Sequence, residues 1–145
     1  MSDQAKSQLL TGYGSIGVEA ARKVAAAAIA EGKKQGWNVA VAIVDAAGEL
    51  VLFERIDDTQ PASILISQAK ARTAARFKRP SKALEDALAG GRQAILGMPD
   101  AVPIEGGVPL VLDGRIVGAI GVSGVTSQQD GVCAQAGVEA LAQLR

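Results

Sequence analysis

Histidine is absent from these 145 residues. That removes Ser-His-Asp and Cys-His catalysis, a histidine general base, and imidazole ligation of zinc or haem iron. Any chemistry must rest on carboxylates, Lys, Arg, hydroxyls, backbone amides, Tyr13 or a lone thiol. Cysteine is nearly absent as well: Cys133 stands alone, which excludes an intrachain disulfide and suits a cytoplasmic protein. The four aromatic residues, Tyr13, Trp37, Phe53 and Phe77, are too few for a base-stacking platform. Fifteen basic residues offset fifteen acidic ones, so no net charge draws the chain onto nucleic acid or an anionic membrane. No apolar run approaches the ~18 residues of a membrane span. The polar stretch 1–12 does not read as a secretory signal. Neither nucleic acid nor membrane is expected as a partner, and the expected location is the cytoplasm.

What is abundant is Ala, Val, Ile and Leu, spread along a chain that is 48% hydrophobic. The length suits one domain over 1–145, with 1–13 a loosely ordered lead. Ser15 is a candidate N-cap for a helix ending at Gly36. The polar stripe of that helix, Glu19, Arg22, Lys23, Lys33 and Lys34, is narrow, which predicts burial on more than one side and an oligomer interface. The continuous apolar run 39–45 fits a central strand covered on both faces, and 50–55 returns as its hairpin partner. A basic helix over 62–77 follows, with Ser63, Ile66, Lys70, Thr73 and Phe77 sharing one face. Ser81 is a candidate cap for a short helix 82–88. Thr126 and Ser127 compete as caps of the last helix, with Gln129 three residues after the first.

The stretch 104–124 carries the clearest turn. Asp113-Gly114 sits between two apolar runs, the pattern of a type I′ hairpin. Gly106 and Gly107 open its first strand, and Gly118, Gly121 and Gly124 punctuate the second, marking places where a ligand or another backbone comes close. These glycines form neither a dinucleotide fingerprint nor a P-loop. The expected fold class is α/β (α+β), an antiparallel sheet of two hairpins flanked by helices in the order α-β-β-α-α-β-β-α.

Several segments agree, in order, with one known family. Val41-Ala-Ile-Val-Asp-Ala-Ala-Gly48, Phe53-Glu-Arg55, Ala69-Lys-Ala-Arg-Thr-Ala74, Gly106-Gly-Val-Pro109, the run 113–124 and Asp130-Gly-Val-Cys-Ala-Gln-Ala-Gly137 resemble the GlcG/HbpS-like family. This is the haem-degrading domain family, also found as the C-terminal domain of some PduO proteins, and the resemblance covers 15–144. It implies a profilin-like fold and assembly into homo-oligomers. Some members are similar to haem-binding or haem-degrading proteins; others accompany glycolate or diol metabolism. Haem-binding members usually supply a histidine to iron, so no haem or other cofactor is expected here. Met98, Cys133 and Tyr13 are the residues whose side chains could ligate iron.

The candidate catalytic residues are Glu105, a carboxylate beside two glycines that could act as a base, and Lys70, whose inward face demands a partner. For Lys70 the structural alternatives are Glu54, Glu105 or a neighbouring subunit. Arg72 could fork a carboxylate or phosphate, and the amides of Gly106 and Gly107 could form an anion nest. Phe53, Arg55 and Asp130 complete the expected ligand-binding set, with a salt bridge to Asp57 or Asp58 as the alternative for Arg55 and helix capping as that for Asp130. Cys133 reads as a small core residue. No metal site is expected, since Asp57-Asp58 makes poor cluster evidence. The expected function is binding of a small anionic or oxygenated metabolite, with cofactor-free proton transfer, isomerase or lyase chemistry if the protein is an enzyme. The alternatives are a haem-binding or haem-degrading protein and a non-catalytic oligomeric accessory protein.

Overall fold

The computed structural model describes residues 9, 11, 12 and 14–144. Tyr13 and most of the expected lead lie outside the described residues. Along the chain run α1 (Val18–Gln35), β1 (Ala40–Asp45), β2 (Leu50–Arg55), α2 (Ser63–Phe77), α3 (Ser81–Ala89), a 3-10 turn (Gln93–Gly97), β3 (Gly107–Leu112), β4 (Arg115–Ser123) and α4 (Ser127–Ala142). The four strands form one antiparallel sheet in the order β2-β1-β4-β3. Each hairpin contributes one central and one edge strand, as the two-hairpin reading expects.

Strand alternation sorts the sheet into two unlike faces. Val41, Ile43, Ile120 and Val122 point to the side covered by α1 and α4, where they meet Val24, Ala28, Cys133 and Ala134. Burying a branched side chain of this size stabilises by about 1.5–3 kcal/mol, so this face holds most of the hydrophobic driving force. Ala42, Val44 and Ala119 point the other way and meet Ala71, Ala74 and Ala75 of α2.

Small residues on that second face let the helix lie on the sheet. A Cβ at Gly121 would come within 2.0 Å of the Ser67 carbonyl oxygen, and one at Gly107 within 2.1 Å of the Lys70 carbonyl oxygen. The glycines of the second hairpin therefore answer to another backbone. Asp113 and Gly114 both adopt positive φ, 53° and 76°, the pair of values that a type I′ turn requires.

Two expected helix caps are corrected. Gly17, with no side-chain cap, precedes α1, because the Ser15 hydroxyl accepts the Ala46 N–H across 31 positions of chain (2.9 Å). Pro80 precedes α3, and the buried Ser81 hydroxyl holds the loop before β3. Thr126 prevails over Ser127: it accepts the Gln129 N–H, and Gln129 closes the capping box. Gly36 ends α1 in the left-handed conformation, as expected. Burial of α1 is one-sided among the described residues, through Ala21, Val24, Ala25, Ala28 and Ile29, while Val18, Ala26 and Ala30 stay exposed.

Candidate functional site

The three cations of α2 face three different surroundings. Lys70 points down between the helix and β4, and its ammonium donates to the Val122 carbonyl and to Asp130 Oδ2, both at 3.0 Å. The partner of the inward lysine is thus Asp130, on α4, and neither Glu54 nor Glu105. Asp130 Oδ1 also accepts the Val125 N–H at 3.1 Å. Burial pushes the Asp130 carboxyl above the usual range, and the Lys70 charge opposes that rise. Gly106 roofs the ammonium: it sits at φ 133°, and a Cβ there would fall 2.8 Å from Lys70 Nζ.

The loop 104–107 is strapped down beside this pair. The Ser81 hydroxyl lies 2.6 Å from the Ile104 carbonyl and accepts the Gly107 N–H at 2.9 Å. The Glu105 N–H donates to Glu85 Oε1 at 3.2 Å. These bonds engage the Gly107 amide of the expected anion nest and the Glu105 amide beside it. The Glu105 carboxylate lies against Gly131 in α4, where a Cβ would come within 2.8 Å of its Oε2. Glu105, Lys70, Asp130 and Gly106 are therefore neighbours in one corner, where Lys70 and Asp130 are sealed from solvent.

Arg72 and Arg76, one helical turn apart, reach instead toward the β1–β2 turn. A cleft of about 360 Å³ opens there, lined by Gly48 and Glu49 from the turn, Gln68, Arg72 and Arg76 from α2, and Asp100. Arg76 is fully engaged, donating to Glu49 Oε1, Asp100 Oδ2 and the Ala47 carbonyl. Arg72 is not. Its Nε is buried without an acceptor, and its guanidinium makes no ion pair among the described residues. A buried donor left unpaired costs about 1–3 kcal/mol, so a carboxylate or other oxyanion entering the cleft would find its counter-charge ready.

Asp100 at the rim of the cleft holds a positive φ of 57°. Thr73 fixes the loop that carries it, since its hydroxyl accepts the Val102 N–H at 3.0 Å and lies 2.8 Å from the Ala69 carbonyl. The sequence reading passed over Asp100, Gln68 and Glu49. Arg76, four residues beyond Arg72, carried a signal through helical spacing; Asp100, brought in by a loop, carried none beyond the preceding proline.

The remaining expected residues lie apart. Phe53 is half-buried against the alanine cluster under α2, and Arg55 is exposed at the end of β2. No ion pair joins Arg55 to Asp57 or Asp58 among the described residues. No group of three or more Cys, Asp or Glu is placed to hold a metal ion among the described residues. Cys133 is fully buried, and burial pushes its thiol up to about 11.

Comparisons with known proteins agree on one relationship. The family model described as "Haem degrading protein HbpS-like" matches residues 16–139. Protein GlcG of Escherichia coli is 44% identical over 103 residues, spanning 71% of this chain and 77% of GlcG. Klebsiella pneumoniae protein ORFY superimposes with a TM-score of 0.88 at 26% identity, covering 100% of this chain and 99% of ORFY. A double mutant of Streptomyces reticuli HbpS superimposes with a TM-score of 0.84 at 33% identity, over 92% of this chain and 91% of HbpS.

Proposed function

The chain belongs to the HbpS-like family of haem-degrading proteins, and from that premise we propose that it binds a small carboxylate-bearing metabolite in the cleft between the β1–β2 turn and α2. One observation carries the reading: Arg72 borders a polar cleft of about 360 Å³ with its Nε buried and without an acceptor, and it forms no ion pair with any described residue, because the carboxylates of the cleft, Glu49 and Asp100, are taken by Arg76. Proteins pair their buried and half-buried guanidinium groups, so a cation held open beside a cleft is poised for an anion. Arg72 forks the carboxylate; Gln68 and the clamped Arg76 wall the cleft and limit ligand size. Lys70 and Asp130 hold α2 against α4 and so fix the helix that carries Arg72.

Differential scanning fluorimetry with acetate, lactate, malonate and succinate tests this. At least one should raise the melting temperature saturably, and Arg72→Met should abolish the rise without lowering the ligand-free melting temperature. A wild-type protein indifferent to every small carboxylate, or an Arg72→Met variant that responds as wild type does, sinks the reading.

The family description favours haem, and the side chains present argue against it. The described residues offer iron no imidazole, and the one thiol is sealed in the core and protonated at neutral pH. Of the three side chains named as possible iron ligands, Tyr13 lies outside the described residues and Met98 is half-buried after the 3-10 turn. Titration with haemin should yield no sharp ligated Soret band.

Self-association through α1 is part of the same proposal. Ala26, Ile29 and Ala30 of α1 border an open groove of about 450 Å³ with Leu52 of β2, rimmed by Arg22, Lys33 and Glu54. A native mass equal to one chain at micromolar concentration removes it.

A further inference from the structure

A second cavity, of about 710 Å³, opens where both hairpin turns meet the C-terminal end of α2. Its volume lies within the ~300–1,000 Å³ of ligand pockets in general. Ala46, Ala47, Ala75 and Ile116 give it an apolar lining, and Arg76, Lys78 and Arg115 are the charged residues that border it. No carboxylate is among the described residues that line it. Arg76 is a fixed wall, held by Glu49, Asp100 and the Ala47 carbonyl. Lys78 and Arg115 are exposed and form no ion pair with any described residue. Three positive side chains around a lining of alanine and isoleucine, with no acidic group among the described lining residues, make a surface that repels cations. It attracts an anion with an apolar body.

We propose that this cavity is a second binding site, separate from the Arg72 cleft, for an organic anion too large for that cleft. Its apolar ring or chain rests on Ala46, Ala75 and Ile116, while Lys78 and Arg115 take its sulfonate, phosphate or carboxylate. Arg76 borders both cavities, so the two sites share a wall and each keeps its own free cations.

Anilinonaphthalenesulfonate, a fluorescent dye with an aromatic body and one sulfonate, is the probe. The wild-type protein should bind it saturably with fluorescence enhancement. Replacing both free cations, Lys78→Met with Arg115→Met, should weaken binding at least about tenfold, as expected for losing charge-assisted contacts. Both positions are exposed, so the double variant should keep its fold, which circular dichroism verifies. Ala47→Leu, an exposed turn residue at the cavity wall, should weaken binding by narrowing the space without removing charge. Arg72→Met should leave dye affinity unchanged, which separates this site from the small-carboxylate site. Dye affinity at the wild-type level in the double variant, or its loss in Arg72→Met, overturns the proposal.

Discussion

Lys70 on α2 and Asp130 on α4 form an ion pair of 3.0 Å with both side chains almost wholly excluded from solvent. Two charges taken out of water need each other: their attraction repays the desolvation only while both are present. The pair crosses 60 positions of chain and ties the helix under one face of the sheet to the helix over the other. Its partners are completed by the Val122 carbonyl and the Val125 N–H.

Each half of this pair should be costly to replace alone. Lys70→Met leaves a buried carboxylate alone and should cost about 3–5 kcal/mol at neutral pH. Asp130→Asn should also be costly, since it leaves the Lys70 ammonium buried without its counter-charge, and an Asn oxygen kept for the Val125 N–H turns the NH2 group toward that ammonium. The pH dependence follows from the sign of the shift. A carboxyl raised in the folded state stabilises fully below its unfolded value, near 3.8, and loses that contribution as pH rises through the folded value. Removing Lys70 raises the folded value further. The Lys70→Met variant should therefore recover stability relative to wild type as pH falls from neutral toward 3.8. Urea unfolding across that range measures it, and a deficit that grows on acidification contradicts the assignment.

Helix α2 can lie on the sheet only because β3 and β4 place glycines, Gly107 and Gly121, where its backbone comes closest. Gly121→Ala would drive a Cβ to 2.0 Å from the Ser67 carbonyl oxygen, a backbone atom that cannot swing aside. The helix must lift, opening the alanine interface along its length. A loss above about 4 kcal/mol, or failure to fold, is expected. Gly97→Ala, with nothing within 4 Å of the new Cβ, is the control and should stay within about 0.5 kcal/mol of wild type. Soluble yield and chemical denaturation distinguish the two, and equal effects would falsify the close-approach account.

How much of this was legible before the structure depends on how far each interaction reaches along the chain. The Asp113-Gly114 turn, the Thr126 capping box and the fully buried β1 are local patterns, and they stand as read. Ser15 and Ser81 look like caps because capping rules count only nearby amides. Each hydroxyl instead serves a backbone group 31 or 26 positions away. The site divides the same way. Helical spacing placed Lys70 inward and Arg72 elsewhere, but the identity of each partner is tertiary. Asp130 reaches Lys70 from α4, and Glu49 with Asp100 occupies Arg76, leaving Arg72 open.

Arg72 should cost the ligand-free protein stability. Its buried Nε lacks an acceptor, and an unsatisfied donor costs about 1–3 kcal/mol. Replacing it by Met keeps much of the aliphatic stem that packs near Gly48 and removes the orphan donor. The variant should be as stable as wild type or more stable by up to about 1 kcal/mol, while losing the carboxylate-induced shift. A destabilised Arg72→Met would mean that the guanidinium has a structural partner after all.

Cys133 should behave as an inert core group whose labelling reports global unfolding. Its side chain is fully buried on α4 against Gly32 of α1, and its thiol is pushed up to about 11, chiefly by desolvation, with Asp130 and Glu31 adding in the same direction. Thiolate is the reactive form, so native Cys133 is protected at neutral pH both by access and by protonation. Iodoacetamide should modify it only at the rate at which the whole domain opens, and the labelling rate should rise with urea in step with the unfolding equilibrium. The linkage runs the other way from Asp130's usual carboxylate kin: a thiol raised above 9.0 on folding stabilises fully below 9.0 and loses that contribution as pH climbs through about 11. Cys133→Ala should therefore narrow its deficit against wild type in that alkaline window. Rapid labelling in buffer at neutral pH would show that α1 and α4 part far more readily than their packing implies.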